Sequence, residues 1–309
     1  MISASHNEHN DNGIKFFGPD GYKLSDSVEV EIEALVSKGV GCVSPENIGR
    51  AKRIDDGRYR YIERVKSSFP NQMRLDGLKV VIDCANGAGY RAAPEVLWEL
   101  GAEVVPVGVS PDGRNINLEC GSTSPRIAAE TVVAHGADVA ICLDGDADRV
   151  LVIDEQGCPI DGDHFLGMIG SRWLKENILA ESTLVATVMS NMYLETFLNR
   201  EGIKLVRTTV GDRYVVEQMR LNGFNLGGEK SGHVVMTDYS TTGDGLMAGL
   251  QFLAEMVRRG EPASVVGRPF DLAPQKIENI IYASEKNPLD NPSVKKMILE
   301  SEKKISGLG

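Results

Sequence analysis

Hydrophobic and polar positions alternate between two spacings along most of this chain. Short apolar runs, which predict strands, are followed by segments of helical spacing that end at Gly101 and Gly136. After a further helix at 165–175, the same order returns. Strands that are separated by single helices pair in parallel, so the pattern predicts an α/β protein with two repeated units. The predicted strands are 78–84, 102–107, 138–143, 150–154, 184–189, 204–210, 224–226 and 233–237, and the predicted helices between them are 88–100, 125–135, 191–199 and 212–221.

The segments on either side of these units have weaker patterns. Residues 1–24 are rich in polar loop residues with a short apolar strand behind them, and helical spacing then recurs around 28–36 and 59–65. Beyond a helix at 245–258 and a linker at 266–274, a strand at 276–282 and a helix at 293–304 begin a further unit. One strand and one helix provide too little core to stand alone, so we expect this last unit to be incomplete.

Composition places the chain among globular proteins and restricts its partners. A length of 309 residues predicts about two folded domains, and a composition of 42% hydrophobic and 25% charged residues is typical of a globular protein. The formal net charge of −11 argues against a nucleic acid or an anionic membrane, so a phosphate-bearing partner is expected to be a small molecule in a local positive pocket. The five cysteines lack C-x-x-C spacing, and we expect neither a membrane helix nor a leader peptide. These features predict a cytoplasmic protein.

Three carboxylates, those of Asp144, Asp146 and Asp148, stand at alternate positions directly after the apolar run 137–143. Such carboxylates can converge on one hard cation if the chain curls, which Gly145 and the small Ala147 allow. Mg²⁺ prefers few carboxylates together with phosphate oxygens and water. Residues 144–149, the aspartate loop, therefore predict one Mg²⁺ per chain, with a phosphoryl group completing its ligands.

The residue that ends the aspartate loop, Arg149, would lie beside that phosphoryl group. It also argues against a calcium-binding EF-hand, because it occupies the sixth position, where glycine is needed, and 150–153 reads as a strand. An ordinary acidic turn is the other alternative, although three crowded carboxylates would repel each other without a cation.

A second loop, residues 227–233 with the sequence GGEKSGH, occupies the same position in the second repeated unit. Each of the two loops links the last strand of a unit to a returning strand. If the two units face a shared cleft, the second loop points at the same ligand as the aspartate loop. A glycine-rich hairpin with incidental polar residues is the alternative.

Together with the N-terminal segment, these loops resemble three motifs of the α-D-phosphohexomutases. SASHN at residues 3–7, followed by DNGIK at 11–15, is similar to the family's phosphoserine loop, with Ser5 as the phosphorylated residue. DGDADR at 144–149 is similar to its metal loop, and GEKSGH at 228–233 to its sugar-binding loop. Residues 210–214 and 238–245 are similar to the branch that acts on amino sugars. The motifs occur in the family's order, and the resemblance covers essentially the whole chain.

The resemblance implies an α/β fold of repeated three-layer α/β domains with mixed sheets. The four expected domains are the end of a first domain at 1–66, a second at 67–158, a third at 159–268, and the start of an incomplete fourth at 269–309. The chain would then lack most of the first domain and the end of the fourth, including the family's Arg-Ser-Gly-Thr phosphate clamp. Glu8 replaces a usual proline, and Lys230 stands where glutamine or methionine is common. We therefore expect Mg²⁺ binding but slow turnover.

The resemblance also implies a reaction and its participants. Phosphorylated Ser5 would donate to a hexosamine monophosphate, forming glucosamine 1,6-bisphosphate, and would then recover a phosphoryl group. The net reaction would interconvert glucosamine 6-phosphate and glucosamine 1-phosphate, supplying UDP-N-acetylglucosamine for cell-wall synthesis. The expected partner is thus a small phosphorylated amino sugar, and a homodimer is a further expectation.

Three alternatives to this reaction remain open. A phosphomannomutase/phosphoglucomutase would share every catalytic residue and differ in how the C2 substituent is recognised. A Mg²⁺-dependent phosphatase would use an aspartate nucleophile and would leave Ser5 unexplained. A truncated, non-catalytic binding protein is the third.

By the same resemblance, each motif residue has an expected role. The expected catalytic residues are Ser5, His6, Lys15 and Arg149; the metal ligands are Asp144, Asp146, Asp148 and, through its phosphoryl group, Ser5; the substrate-binding residues are Arg213, Glu229, Lys230, Ser231 and His233. Lys15 is expected to act as a general acid or base if burial beside Arg149 lowers its pKa. His233 either contacts phosphate or merely begins a strand.

Overall fold

The N-terminal segment forms a small sheet and two helices in the computed structural model, which describes residues 1–39, 41–276, 278 and 287–305. Its elements are β1 (Ile2–Ser3), β2 (Gly13–Ile14), α1 (Asp26–Lys38) and α2 (Gly57–Lys66). β1 pairs antiparallel with β2, so the chain between them forms a loop that carries Ser5. Among the described residues of α1 none is buried, whereas α2 buries Ile62 and Val65. Both helices were predicted, but only α2 contributes to the core.

The next unit is built around a five-stranded mixed sheet. Its elements are β3 (Lys79–Asp83), α3 (Ala92–Glu99), β4 (Glu103–Val107), α4 (Arg126–His135), β5 (Val139–Leu143), β6 (Val150–Asp154) and β7 (Pro159–Ile160). The strand order is β4-β3-β5-β6-β7. β3 pairs in parallel with β4 and β5, whereas β5, β6 and β7 pair antiparallel. The reversal between β5 and β6 places the aspartate loop at the end of β5, a strand whose residues are all buried.

The following unit repeats this plan with a four-stranded sheet. Its elements are α5 (Gly162–Lys175), β8 (Thr183–Thr187), α6 (Met192–Glu201), β9 (Lys204–Thr208), α7 (Asp212–Asn222), β10 (Leu226–Gly228), β11 (Val234–Met236), α8 (Gly245–Arg259) and α9 (Ala263–Val266). The strand order is β11-β10-β8-β9. β8 pairs in parallel with β9 and β10, and β11 returns antiparallel to β10. A further helix, α10 (Pro292–Ile305), follows near the end of the chain.

Helices α5 and α8 join the two sheets into one core. α8 packs against β5, β6, α2 and α5, and α5 packs against β10. Phe165 of α5 stacks on Phe252 of α8 with ring centroids 5.9 Å apart, and both rings are buried. One continuous apolar cluster therefore includes residues of both sheets. Because packed interiors of this kind resist deformation, the loops that leave the two sheets are held in a fixed relation.

The predicted mixed-sheet α/β fold is confirmed, and the differences are local. The predicted helix 88–100 begins as a short 3₁₀ turn, Ala88–Tyr90, before α3. The predicted strand 224–226 begins only at Leu226 and extends into the predicted loop, because 226–228 pairs with 234–236. Most of the strand predicted at 276–282 lies outside the described residues. Within the described part of the chain, every helix is too short or too polar to span a bilayer.

Candidate active site

The aspartate loop curls around its first carboxylate. Asp144 is fully buried, and its Oδ1 accepts hydrogen bonds from the backbone N–H groups of Asp148 at 3.0 Å and Arg149 at 3.1 Å. The turn itself is made at Ala147, which has a φ of 60° and donates its N–H to the carbonyl oxygen of Asp144. The aspartate loop is thus a tight turn, and the carboxylate of Asp144 accepts hydrogen bonds in its interior.

Gly145 is required here for close approach rather than for a left-handed backbone. A Cβ at this position would lie 2.7 Å from the carbonyl oxygen of Ser5 and 2.7 Å from Asn117 Nδ2. Of the two residues expected to allow the curl, Ala147 adopts the unusual φ, whereas Gly145 makes room for the segment that carries Ser5.

The serine loop, residues 3–7, lies directly against the aspartate loop. The backbone N–H of Asn7 donates to the carbonyl oxygen of Ala4 at 2.9 Å, which closes a turn in which Ser5 has a φ of 52°. Ser3 Oγ donates to Asp146 Oδ1 and accepts from the N–H of Ser5 at 2.8 Å. The predicted nucleophile and the predicted metal loop are therefore brought together by one hydroxyl group.

Ser3 was not predicted as a site residue, because a serine two positions before the nucleophile reads as an ordinary loop residue. The only signal for it in the sequence is its place inside the SASHN motif. Its partner Asp146 lies 143 residues away, so the contact depends on tertiary structure.

Lys15 enters the site as the counter-charge of the aspartate loop. Its Nζ lies 2.5 Å from Asp146 Oδ2 and 3.7 Å from Asp148 Oδ2. Burial alone would lower the pKa of Lys15, but the hydrogen bond to Asp146 and the attraction of all three loop carboxylates outweigh it and raise the pKa. The lowered pKa that acid/base catalysis by Lys15 would require is thus not found here, because Lys15 faces these carboxylates.

His6 and Arg149 lie on the serine side of the loop. His6 Nδ1 is 3.4 Å from Ser5 Oγ. Burial lowers the pKa of His6, and repulsion by Arg149 lowers it further, so neutral imidazole is favoured beside the serine hydroxyl. Arg149 Nε is buried and has no hydrogen-bond partner among the described residues. The guanidinium is thus a cation that an added anion could neutralise.

The second predicted loop, residues 227–233, meets the aspartate loop through backbone pairing. The N–H of Val150 donates to the carbonyl oxygen of Gly232 at 3.0 Å, and Arg149 and His233 form an antiparallel bridge. The structure therefore brings together the two loops that the repeated pattern singled out. Ser231 is exposed, and the Glu229 carboxylate accepts the N–H of Gly211 at 3.0 Å.

His233 is an interior residue, with 3% of its side chain exposed. Its Nδ1 faces Asp148 Oδ1 at 3.8 Å, its Nε2 faces Asp212 Oδ2 at 3.6 Å, and the N–H of Gly243 donates to Nε2 at 3.2 Å. Because Nε2 accepts that hydrogen bond, the neutral ring carries its proton on Nδ1, towards Asp148. His233 thus connects a predicted metal ligand with the start of α7.

Lys230 and Arg213, the predicted substrate-binding residues with positively charged side chains, already have carboxylate partners. Lys230 Nζ lies 3.2 Å from Asp161 Oδ2 and donates to Gln275 Oε1 at 3.2 Å. Arg213 forms ion pairs with Asp26 and, at 2.9 Å, with Glu29 of α1. A substrate phosphate would have to compete with these carboxylates for either side chain.

The aspartate loop has the donor chemistry for Mg²⁺. Across the described residues no group of three or more His, Cys, Asp or Glu side chains is already arranged around an ion position. Asp144 Oδ2 and Asp148 Oδ1 are nevertheless buried without hydrogen-bond partners among those residues. Burial and repulsion by Asp148 raise the pKa of Asp144, as expected for crowded carboxylates that await a cation. Two partnerless carboxylate oxygens in one loop fit a hard divalent ion.

A cavity of about 470 Å³ opens beside these groups. Lys15, Asp146 and Asp148 line one side of it, and Arg58 and Asp244 line another. A larger cavity of about 530 Å³ lies between residues 22–27 and α7, and it shares Lys23 and Thr242 with the smaller one. Of the two, the smaller cavity is the one lined by the aspartate loop, whereas Arg213, a predicted substrate-binding residue, lines the larger one.

Comparison with known proteins matches this architecture domain by domain. Residues 1–40, 59–157 and 161–269 match the family descriptions phosphoglucomutase/phosphomannomutase alpha/beta/alpha domain I, domain II and domain III, respectively. Over all 309 residues the chain is 66% identical to a phosphoglucosamine mutase of Ruegeria sp. and 64% identical to one of Cereibacter sphaeroides. The chain belongs to the phosphoglucosamine mutase family. It spans 69% of the length of each of these relatives, and the resemblance predicted from the motifs is confirmed.

Solved structures support the fold. A phosphoglucomutase/phosphomannomutase family protein from Burkholderia thailandensis superposes with a TM-score of 0.73 at 24% identity, covering 86% of this chain and 57% of that one. An Aspergillus fumigatus N-acetylphosphoglucosamine mutase, solved in complex with GlcNAc-6P and magnesium, gives a TM-score of 0.65 at 19% identity over 89% of this chain and 73% of that one. At these identities the likeness concerns the fold.

Proposed function

We propose that this chain interconverts glucosamine 6-phosphate and glucosamine 1-phosphate through a phosphorylated Ser5 and a 1,6-bisphosphate intermediate. The observation that supports this most directly is the double role of Ser3 Oγ, which bonds Asp146 and the N–H of Ser5. Ser5 and a cluster of carboxylates are thereby held side by side, and two of these carboxylates, Asp146 and Asp148, line the smaller cavity. Membership of the phosphoglucosamine mutase family supplies the substrate class.

The residues that would hold Mg²⁺ are Asp144, Asp146 and Asp148, together with a phosphoryl oxygen on Ser5. When bound, the ion would neutralise charge that develops on the transferred phosphoryl group, which is the main requirement of phosphoryl transfer. Lys15 would turn towards the phosphoryl oxygens once its carboxylates are shared with the ion. Asp144 needs little movement, since its Oδ1 is already fixed by two backbone N–H groups.

The remaining residues would position and neutralise the reactants. Arg149, whose Nε has no partner among the described residues, would pair with the phosphoryl group. Neutral His6 would accept a proton from Ser5 Oγ or return it, because its Nδ1 lies 3.4 Å from that oxygen. Exposed Ser231 and half-buried Glu229 would bond sugar hydroxyls in either orientation of the bisphosphate. Lys230 and Arg213 would bind substrate only after exchanging their present carboxylate partners.

Three wider features belong to the same proposal. The first is the division of the chain at about residues 66, 158 and 268. The second is a small phosphorylated amino sugar as the partner, in the cytoplasm, with glucosamine 1,6-bisphosphate as activator. The third is a homodimer, which sedimentation of the purified chain would test.

Intact-mass spectrometry after incubation with a hexose 1,6-bisphosphate and Mg²⁺ tests the proposal. We expect the mass of one phosphoryl group to be added to the wild-type chain and not to Ser5→Ala, and peptide mapping to place it on Ser5. A coupled assay with the 6-phosphates of glucosamine, glucose and mannose then separates the amino-sugar reaction from a phosphomannomutase/phosphoglucomutase. A wild-type chain that binds Mg²⁺ and gains no phosphoryl group would contradict the proposal.

A further inference from the structure

We infer that Asn117, a residue of the loop between β4 and α4, is a positioning residue for Ser5. Its consequence for catalysis rests on the proposed function, whereas its effect on the serine loop does not. Asn117 Nδ2 donates to the carbonyl oxygen of Ser5 at 2.9 Å and to that of Asn7 at 2.6 Å. One side chain thus bonds two carbonyl oxygens of the turn that presents the nucleophile.

The two hydrogen bonds use the full donor capacity of one amide group. A carboxamide nitrogen carries two N–H donors, and here each is directed at a different carbonyl of the serine loop. Turning the amide over would set Oδ1 of Asn117 against both carbonyl oxygens, so the contacts themselves fix its orientation. Oδ1 is buried without a partner among the described residues. The amide is therefore arranged for donation to the serine loop alone.

The backbone around Asn117 is built for this placement. Asn117 has a φ of 56°, a left-handed conformation that asparagine tolerates better than most residues, and only 6% of it is exposed. Its own N–H donates to the carbonyl oxygen of Ala85 at 2.9 Å, which attaches it to the loop after β3. The side chain thus projects from a firmly held segment of the second unit.

The contact completes the fixation of the Ser5 backbone. On one side, the N–H of Ser5 donates to Ser3 Oγ, which in turn bonds Asp146. On the other side, the carbonyl of Ser5 accepts from Asn117. With both backbone polar groups held and Gly145 packed against the same carbonyl, the left-handed φ of Ser5 is maintained and its Cα–Cβ bond keeps one direction.

The N-terminal segment has few other attachments at this point. β1 and β2, the strands that border the serine loop, contain two residues each, and Asn117 lies 112 residues from Ser5 along the chain. Short strand pairs are weak on their own in water. Loss of the Asn117 amide should therefore loosen the serine loop while the core of the second unit remains folded.

Two substitutions separate positioning from folding. Asn117→Asp keeps the size of the side chain and replaces both donors by acceptors that face two carbonyl oxygens. Asn117→Gly removes the side chain and also relieves the left-handed backbone, so it should fold even if the aspartate variant does not. Asn115→Ala is the matched control, because Asn115 lies in the same loop but its amide donates to the carbonyl oxygen of Ser110.

The experiment combines hydrogen exchange of the serine loop, Ser5 phosphorylation by a hexose 1,6-bisphosphate, and Mg²⁺ titration. In both Asn117 variants we expect faster exchange at residues 4–8, with unchanged exchange in β3 and β5. We also expect phosphorylation about 100-fold slower, a loss that a displacement of about 1 Å can cause, with Mg²⁺ affinity within about twofold of wild type. Asn115→Ala should match wild type in all three.

The outcomes distinguish this inference from the proposed function. If Asn117→Gly retains wild-type exchange in the serine loop, Asn117 does not position Ser5, and the inference is overturned. Faster exchange with undiminished phosphorylation overturns its catalytic consequence. If the wild-type chain itself is not phosphorylated, the proposed function fails, while the exchange data still decide whether Asn117 holds the loop.

Discussion

Lys15 and Asp146 form a partly buried ion pair across 131 residues of chain, with Nζ 2.5 Å from Oδ2. The pair places the only cation of the segment 11–15 against a carboxylate that is predicted to bind Mg²⁺. Lys15 and Mg²⁺ would therefore compete for the same negative charge. The competition links the N-terminal segment to the occupancy of the metal site.

Lys15→Met should raise Mg²⁺ affinity and slow phosphoryl transfer. Removing the competing ammonium is expected to strengthen Mg²⁺ binding by about tenfold, or ~1.4 kcal/mol. Phosphorylation of Ser5 should nevertheless slow, since a cation that could contact the transferred group is lost. Calorimetric titration with Mg²⁺ measures the first effect and intact-mass kinetics the second.

Lys66→Met is the matched control for this change in charge, because Lys66 pairs with Glu63 and Glu99 away from the aspartate loop. It should leave Mg²⁺ affinity unaltered. A weaker affinity in Lys15→Met would show that Lys15 orders the carboxylates instead of competing for them.

His233→Ala should weaken Mg²⁺ binding, although His233 is not a predicted metal ligand. Its ring lies between Asp148 and Asp212, and groups that orient a metal ligand in this way typically contribute ~10- to 100-fold in affinity. Calorimetric titration of the variant measures this loss.

His164→Ala serves as the control for His233→Ala. His164 is comparably buried, but its Nε2 contacts the carbonyl oxygen of Phe270 at 2.7 Å, outside the site. Both variants should melt earlier, and only His233→Ala should lose Mg²⁺ affinity. Equal affinities in the two variants would show that His233 serves packing alone.

How much of this site the sequence could predict depends on how local each feature is. The aspartate loop follows from alternate carboxylates after an apolar run, and the structure keeps all three in one turn. The pairing of Arg149 with His233 was anticipated only as two loops facing one cleft, because the register of a bridge is set by both sheets. The sequence thus indicated the loops but not how they touch.

The features that could not be predicted depend on which distant groups surround a side chain. Asn117 reads as an ordinary loop residue, because its partners lie 110 and 112 positions away. For Lys15, the condition set for acid/base catalysis, a pKa lowered by burial beside Arg149, is not met, since three carboxylates dominate its surroundings and raise the pKa. The burial of His233 could not be predicted either, because a single histidine at the start of a strand adds nothing to the pattern of hydrophobic positions.

Asp244 should make the stability of the chain fall as pH rises from about 4 to about 6. It caps α8 by accepting the N–H of Met247 at 2.9 Å, and the hydroxyl of Tyr61 donates to it at 3.0 Å. Burial nevertheless raises the pKa of Asp244 to about 6. Between its unfolded and folded pKa the folded state binds more protons, so deprotonation at higher pH costs stability, on the order of 2 to 3 kcal/mol.

Asp244→Asn, which mimics the protonated acid, should lack this dependence. The difference in unfolding free energy between the variant and wild type should grow from pH 4 to pH 6 and then level off, as measured by urea denaturation. Tyr61→Phe should extend the wild-type decline to higher pH, because it removes a donor to the carboxylate. A difference between Asp244→Asn and wild type that does not change with pH would show that Asp244 is ionised at no cost.

Gly232→Ala should separate the aspartate loop from the second loop, and Gly223→Ala provides its matched control. Both glycines have left-handed backbones, with φ values of 87° and 71°. At Gly223, which ends α7, an added Cβ meets no described atom within 4 Å, so alanine should cost only the backbone strain of ~1 kcal/mol. At Gly232 the Cβ would overlap the carbonyl oxygen of Val150, and a further ~1 to 3 kcal/mol is expected.

The extra cost of Gly232→Ala should be local, since the bond from the Val150 N–H to the Gly232 carbonyl joins the two loops. Thermal unfolding of the two variants side by side gives the difference in stability, and hydrogen exchange at Val150 shows whether that bond is lost. We expect Gly232→Ala to lose protection there and to weaken Mg²⁺ binding, because Arg149 and Asp148 directly precede Val150. Equal stabilities, with Val150 protected in both variants, would show that the site accommodates the added methyl group and that the contact between the loops does not require Gly232.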